Sequence, residues 1–233
     1  METIETLALT LGAGWAAGIN LYAAILVLGY MGMTGHVTLP PGLEVLSDPM
    51  VMGVAGIMYC VEFFADKTPG VDSGWDTLHT FIRIPAGALL AAGAASGFEV
   101  SQAAELTAAL VGGTLAAGSH FTKAGSRLMI NTSPEPVTNW TASIVEDVAV
   151  IGGLWTALNY PTAFILFLVL FLALVVWLLP KIWRAVKRLF NRLGRFFSND
   201  KEPPLETSSP EERAETLKSL FMDDGRPADP LKK

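Results

Sequence analysis

Six apolar stretches alternate with polar loops along the chain, at roughly 6–30, 49–65, 84–98, 103–122, 141–160 and 161–180. A hydrocarbon core about 30 Å thick needs ~20 helical residues, fewer where flanking side chains snorkel, so each stretch crosses or nearly crosses a bilayer. Basic residues sort to alternate loops. Of the 16, Lys67 and Arg83 fall in the second loop, Lys123 and Arg127 in the fourth, and all the others follow Pro180. The N-terminus and the first, third and fifth loops have none. Under the positive-inside rule this predicts six spans with both termini cytoplasmic. The expected fold is an all-α polytopic protein of the bacterial inner membrane.

Beyond Pro180 the pattern changes twice. Residues 181–197 set Ile182, Val186, Leu189, Leu193 and Phe196 at helical spacing, with six Lys/Arg at other positions. Such a basic amphipathic helix lies on anionic inner-leaflet lipids, with about 1 kcal/mol per basic residue near the surface. A stop-transfer flank that fixes orientation is its simpler role. Residues 198–233 are rich in Pro, Ser and acids and read as a disordered cytoplasmic tail, with a short helix at Glu211–Phe221. The domain division is therefore 1–180, 181–197 and 198–233.

Within 1–180 the run Gly14-Trp-Ala-Ala-Gly-Ile-Asn-Leu-Tyr-Ala-Ala24 echoes Gly113-Thr-Leu-Ala-Ala-Gly-Ser-His-Phe-Thr-Lys123. Each is followed by a Pro-containing loop, Leu39–Pro41 or Ser133–Pro136, and then by a Gly-bearing span that stops at Pro69 or Pro161. A three-span repeat inverts between copies, as in secondary transporters, whose sites lie at the repeat interface. The echo rests on one Ala-Ala-Gly triplet and the loop pattern, which chance similarity in an Ala/Gly-rich chain also supplies.

Composition adds exclusions. With 51% hydrophobic and 16% charged residues, and a mean hydropathy of +0.43, the chain is no ordinary soluble domain. The net charge of −6 resides mainly in loops and tail, and no basic face with interleaved aromatics suggests nucleic acid. A single cysteine, Cys60, rules out an intrachain disulfide and a Cys-based metal site. Met1–Glu5 carries two acids and no base, a poor signal peptide, so the first span is expected to remain as a helix.

The densest polar cluster runs from Glu62 to Arg83. Glu62 and Asp66 are four apart, as are Asp72 and Asp76, so each pair shares a helical face. Asp72, Asp76, His79 and Arg83 form one stripe, and Val71, Trp75, Leu78 and Ile82 another. That spacing predicts an amphipathic helix between the second and third spans, lying flat at the interface or re-entrant. A purely structural role has these charges pairing with one another on a solvated face, with Asp72 capping the N-terminus. A functional role starts from Glu62, inside a span where ionisable groups are costly and line pathways. The four carboxylates would then bind a hard cation or carry protons, with His79 as relay and Arg83 setting their charge.

Other candidates are Asn20, beside Gly18, as a helix break or an interhelical hydrogen bond, and His120 in the corresponding part of the fourth span. Lys123 reads as a snorkelling topology signal. Ser143-Ile-Val-Glu146 reads as a capping box that puts Glu146 and Asp147 in a first helical turn. Gly14-xxx-Gly18 and Gly93-xxx-Gly97 read as helix-packing motifs, and would specify a homodimer only if they faced outward.

Gly18-Ile-Asn-Leu-Tyr22, the whole string Glu62–Gly87, and Asn131-Thr-Ser-Pro-Glu-Pro-Val-Thr-Asn-Trp140 together resemble bacterial membrane proteins grouped as domain of unknown function 4126. The resemblance covers about 10–180 and implies a membrane protein without an assigned activity.

A small transporter or channel-like permease with a carboxylate cluster for cation or proton handling is the leading expectation. Its candidate site is Asn20, Glu62, Asp66, Asp72, Asp76, His79, Arg83 and His120. No cofactor is expected, unless magnesium or another hard cation sits on Asp72 and Asp76. That exception belongs to the rival class, a magnesium-dependent membrane enzyme acting on lipid or diphosphate substrates, suggested by the paired acids. Against it, the Ala-Arg and further aspartates of CDP-alcohol phosphotransferases are missing, as are a P-loop and His-Glu-x-x-His. A non-catalytic scaffold is the third class. Expected partners are the bilayer, anionic lipids through 181–197, and a second copy of the chain.

Overall fold

The computed structural model describes residues 3–68, 70–96, 102–131 and 136–197, with isolated tail positions beyond; for Pro136 and for 182, 185, 189, 190 and 192–197 it gives the backbone alone. The chain divides into two units, Met1–Arg188 and Leu189–Lys233. The first is a helical bundle. Its elements are α1 (Thr3–Met33), a 3-10 helix (Pro41–Ser47), α2 (Pro49–Ala65), α3 (Val71–Ala95), α4 (Gln102–Ile130), α5 (Pro136–Asn159) and the part of α6 (Pro161–Phe197) that precedes Leu189. In the second unit, β1 (Met222–Asp223) pairs antiparallel with β2 (Arg226–Pro227), and Glu211, Ala214 and Lys218 are helical. The rest of the expected tail helix, Pro69, Gly97 and most of the Ser133–Pro136 loop lie outside the described residues.

α1 is the axis of the bundle and packs against α2, α3, α4 and α5. Missing side chains set how closely the helices approach. A Cβ on Gly14 would stand 2.7 Å from Gly112 Cα in α4, and one on Gly18 would collide with Ser119 Oγ and the Ala116 carbonyl. The Gly14-xxx-Gly18 motif therefore faces inward and serves packing. On the other side, Trp15 takes the ring edges of Phe164, Phe167 and Phe171 of α6 at 5.9, 5.5 and 5.9 Å.

Helix starts follow local chemistry. Asp48 caps α2, accepting from the amides of Met50 (2.8 Å) and Val51 (3.3 Å), with Pro49 in the first helical position. The 3-10 helix and α2 meet at 68°. α5 begins at Pro136 and α6 at Pro161.

Two boundaries differ from the sequence expectation. The amphipathic segment 72–83 is not a separate helix; it is the first half of α3, continuous through Pro85 with the third apolar stretch. Its polar stripe, Asp72, Asp76, His79 and Arg83, is buried, while Val71, Leu78, Phe81 and Ile82 are exposed. The helix is amphipathic inside out, as suits an apolar surround. α6 likewise runs unbroken through Pro180 into the basic segment.

Among the described residues four helices are long and apolar enough to cross a membrane, Thr3–Met33, Val71–Ala95, Val137–Asn159 and Pro161–Arg188, and a fifth if the bent 3-10/α2 pair is one span. α4 is long enough at 29 residues, but its buried face carries Ser119, His120, Lys123 and Arg127. Large apolar side chains such as Ile57, Leu89, Val148, Leu166 and Val176 are exposed on the outer surface, as lipid-facing helices require. Among the described residues the two expected repeat halves do not pack alike: α1 and α3 are closely packed, whereas α4 and α6 are not.

Candidate functional site

Where α1 crosses α4 its helix breaks. Asn20 has φ −146° and ψ 98°, an extended conformation inside an otherwise helical run. Its Oδ1 accepts from the Ala23 amide at 3.0 Å, so the side chain caps the second half of α1, and its Nδ2 donates to Asp147 Oδ1 at 2.9 Å. Asp147 also accepts from Tyr59 at 3.1 Å. The break leaves the Ile19 carbonyl at the end of a half-helix, and Lys123 Nζ of α4 meets it at 3.1 Å.

Around that ammonium gather acids from three helix segments. Lys123 Nζ donates to Asp66 Oδ2 (2.7 Å) and Glu62 Oε1 (3.4 Å), and lies 3.5 Å from Glu146 and 3.8 Å from Asp76. Arg83 joins Glu62 (2.6 Å) to Asp76 (3.0 Å). Arg127 forks onto both oxygens of Glu146 (3.2 and 2.6 Å), and its Nη1 donates to the carbonyls of Asp66 and Asn139. Glu62, Asp66, Asp76, Arg83, Lys123 and Arg127 are each no more than 4% exposed. The ion-paired set has four carboxylates and three cations. Among the described residues, Glu62 Oε2, Asp66 Oδ1 and Asp76 Oδ2 are buried without a protein hydrogen-bond partner.

The histidines flank this set. His79 Nδ1 donates to the Trp75 carbonyl (2.9 Å), which leaves Nε2 to accept from Tyr22 (3.1 Å). His120 Nδ1 accepts from Arg83 (3.3 Å), and Nε2 pairs with Thr80 at 2.7 Å. Both fit neutral imidazoles. Lys67, between α2 and α3, donates to Ser143 at 3.1 Å with its ammonium 2.9 Å from the Phe63 ring centroid, and burial lowers its pKa.

Six of the eight sequence candidates thus converge: Asn20, Glu62, Asp66, Asp76, Arg83 and His120. His79 lies beside them. Asp72 belongs to a separate lock at the start of α3. Its oxygens accept from Asn131 Nδ2 (2.8 and 2.9 Å) and from the Gly70 and Ser73 amides, and Asn139 holds Asn131 at 2.9 Å. Asp72 and Asp76 therefore serve different partners. Among the described residues no three His, Cys, Asp or Glu are arranged to hold a metal ion.

Two sequence readings are corrected. Lys123 does not snorkel; it is buried and paired. Ser143 and Glu146 are no capping box, because α5 starts at Pro136 and Glu146 lies ten residues in, bound to Arg127. Sequence reasoning met Arg127 only as a loop charge, and Asn131 and Asn139 only within the family string, and named none of them as a site residue. A usable signal was present: Ala116, Ser119, His120, Lys123 and Arg127 fall on one helical face.

The chain matches the family described as Domain of unknown function (DUF4126) over residues 7–181. No curated protein and no solved structure matches it. The chain is a membrane protein that belongs to the DUF4126 family, and its buried cluster lies wholly within the shared region.

Proposed function

We propose that this protein is a small permease of the bacterial inner membrane that handles protons or cations at the cluster around Lys123. One observation carries the reading: four carboxylates and three cations are packed around the end of a broken helix inside the bundle. Discontinuous helices with ionisable groups at their ends are how transporters build sites at depth. Within the ion-paired set itself the carboxylates outnumber the cations by one, in a poorly solvated interior where Coulomb terms are large. One proton or one bound cation restores neutrality, and the partnerless carboxylate oxygens offer it places to sit.

Asp76→Asn balances the set permanently while its amide oxygen still accepts from Arg83. In proteoliposomes with an internal pH dye and an imposed potential, wild type should acidify the lumen faster than protein-free vesicles. Asp76→Asn should slow this at least tenfold in a variant that still elutes as a folded protein in detergent. Wild-type flux equal to protein-free vesicles for protons, sodium, potassium and magnesium would remove the permease, and magnesium-dependent lipid turnover would favour an enzyme instead.

A further inference from the structure

Each acid of the ion-paired set has a cation against it, but two buried carboxylates among the described residues have none, Asp72 and Asp147. They differ in what takes the cation's place. Asp72 sits in the first turn of α3, where Asn131 and the amides of Gly70 and Ser73 hold it as an anion. Asp147 lies in the middle of α5, far from either end, so its own helix has no free amide to offer. Two neutral donors reach it, Asn20 Nδ2 at Oδ1 (2.9 Å) and the Tyr59 hydroxyl at Oδ2 (3.1 Å). The charged groups that face it are Lys123 of α4 and Lys67 beyond α2. Both are committed elsewhere, Lys123 to Ile19, Asp66 and Glu62, and Lys67 to Ser143 and the Phe63 carbonyl.

We infer that Asp147 is a proton-binding site separate from the ion-paired set, with Tyr59 as its positioning residue. Burying a carboxylate without a counter-charge is costly, and a proton removes that cost. At Glu62, Asp66, Asp76 or Glu146 a proton would displace a charge-assisted bond to Arg83, Lys123 or Arg127; at Asp147 it displaces none. The proton goes to Oδ2. Tyr59 turns its own hydrogen away and accepts from the acid, while Asn20 goes on donating to Oδ1, so one hydroxyl rotation accommodates the change. The site also bears on the break in α1, because the Asn20 side chain that caps the second half of that helix is the one that donates to Asp147. Its bond to a neutral acid is weaker than its bond to a carboxylate, so a proton loosens the anchor of the break at which Lys123 binds Ile19. The inference deepens the permease reading and rests on it for the proton's role in transport, not for binding itself.

Infrared titration of the purified full-length protein in nanodiscs tests it through the carbonyl band of a protonated carboxyl. Subtracting Asp147→Asn from wild type should leave one such band, growing as the pH falls. Tyr59→Phe removes a donor that only the ionised acid uses, so the ionised form loses support and the band should appear about one pH unit higher. A tyrosine that only fills space would leave that midpoint unmoved. The Tyr59→Phe shift also keeps the test decisive should Asp147→Asn fail to fold. No band that Asp147→Asn removes, or an unmoved midpoint in folded Tyr59→Phe, overturns the site. The band without proton flux would leave the site standing and remove the permease; flux without the band would do the reverse.

Discussion

Lys123 shows how much one side chain determines here. Its ammonium has three protons and all three are used, on a half-helix carbonyl and two carboxylates. Removing one partner of a buried ion pair costs about 3–5 kcal/mol, because the remaining charge stays desolvated. Lys123→Met should therefore lower thermal stability in detergent by that order. Lys123→Met/Asp66→Asn should recover part of the loss, since Asp66 is the acid closest to Nζ. A double-mutant cycle showing additive losses would contradict the hub geometry. The sequence could not supply this residue. A lysine near the end of a helix reads the same whether it reaches outward to headgroups or inward to acids, and only the position of Glu62 and Asp66 on α2 decides. Glu62 was legible for the opposite reason: it sits inside an apolar run, where a charge needs a partner.

At the scale of elements, polarity patterns were legible but their direction was not. The 3.5-residue stripe of Asp72, Asp76, His79 and Arg83 correctly marks a helix face, and that face turns to the bundle because α1 and α4 supply polar partners while lipid covers the other side. The break in α1 was readable from Gly18-Ile-Asn20, since asparagine bonds its own backbone in competition with the helix. The start of α5 was misread because a proline ten residues upstream of Glu146 already supplies a helix N-terminus. Asn20→Ala tests the break. It removes the cap on the second half of α1 and one donor to Asp147, a loss of about 1–3 kcal/mol. Hydrogen exchange in nanodiscs should rise locally at the amides of 21–24. Unchanged protection there would mean that packing, not the Asn20 side chain, holds the break open.

For the whole molecule, burial of the loop charges alters the orientation argument. Arg83, Lys123 and Arg127 are consumed by the cluster, and Lys67 is held by Ser143 and Phe63, so none is a free charge for the positive-inside rule. What remains are the basic residues after Pro180, six of them in the run from Lys181 on the continuation of α6. Under the positive-inside rule such a run predicts a cytoplasmic end for the adjoining helix, the orientation that the labelling below tests. If α6 spans, its start at Pro161 and the exposed Tyr160 then face the periplasm. On that orientation α5 returns to the cytoplasmic side at Pro136, and the Asp72–Asn131–Asn139 lock lies there. A cavity of about 300 Å³, bordered by Gly152, Thr156 and Phe164, lies nearer the Asn159 end of α5 than Glu146 does. Cysteine labelling checks this directly, because Cys60 is the single native thiol. In a Cys60→Ser background on intact spheroplasts, Tyr160→Cys should react with a membrane-impermeant maleimide. Ser208→Cys in the tail should react only after lysis. The reverse pattern would turn the molecule over and place the lock, rather than the cavity, toward the outside.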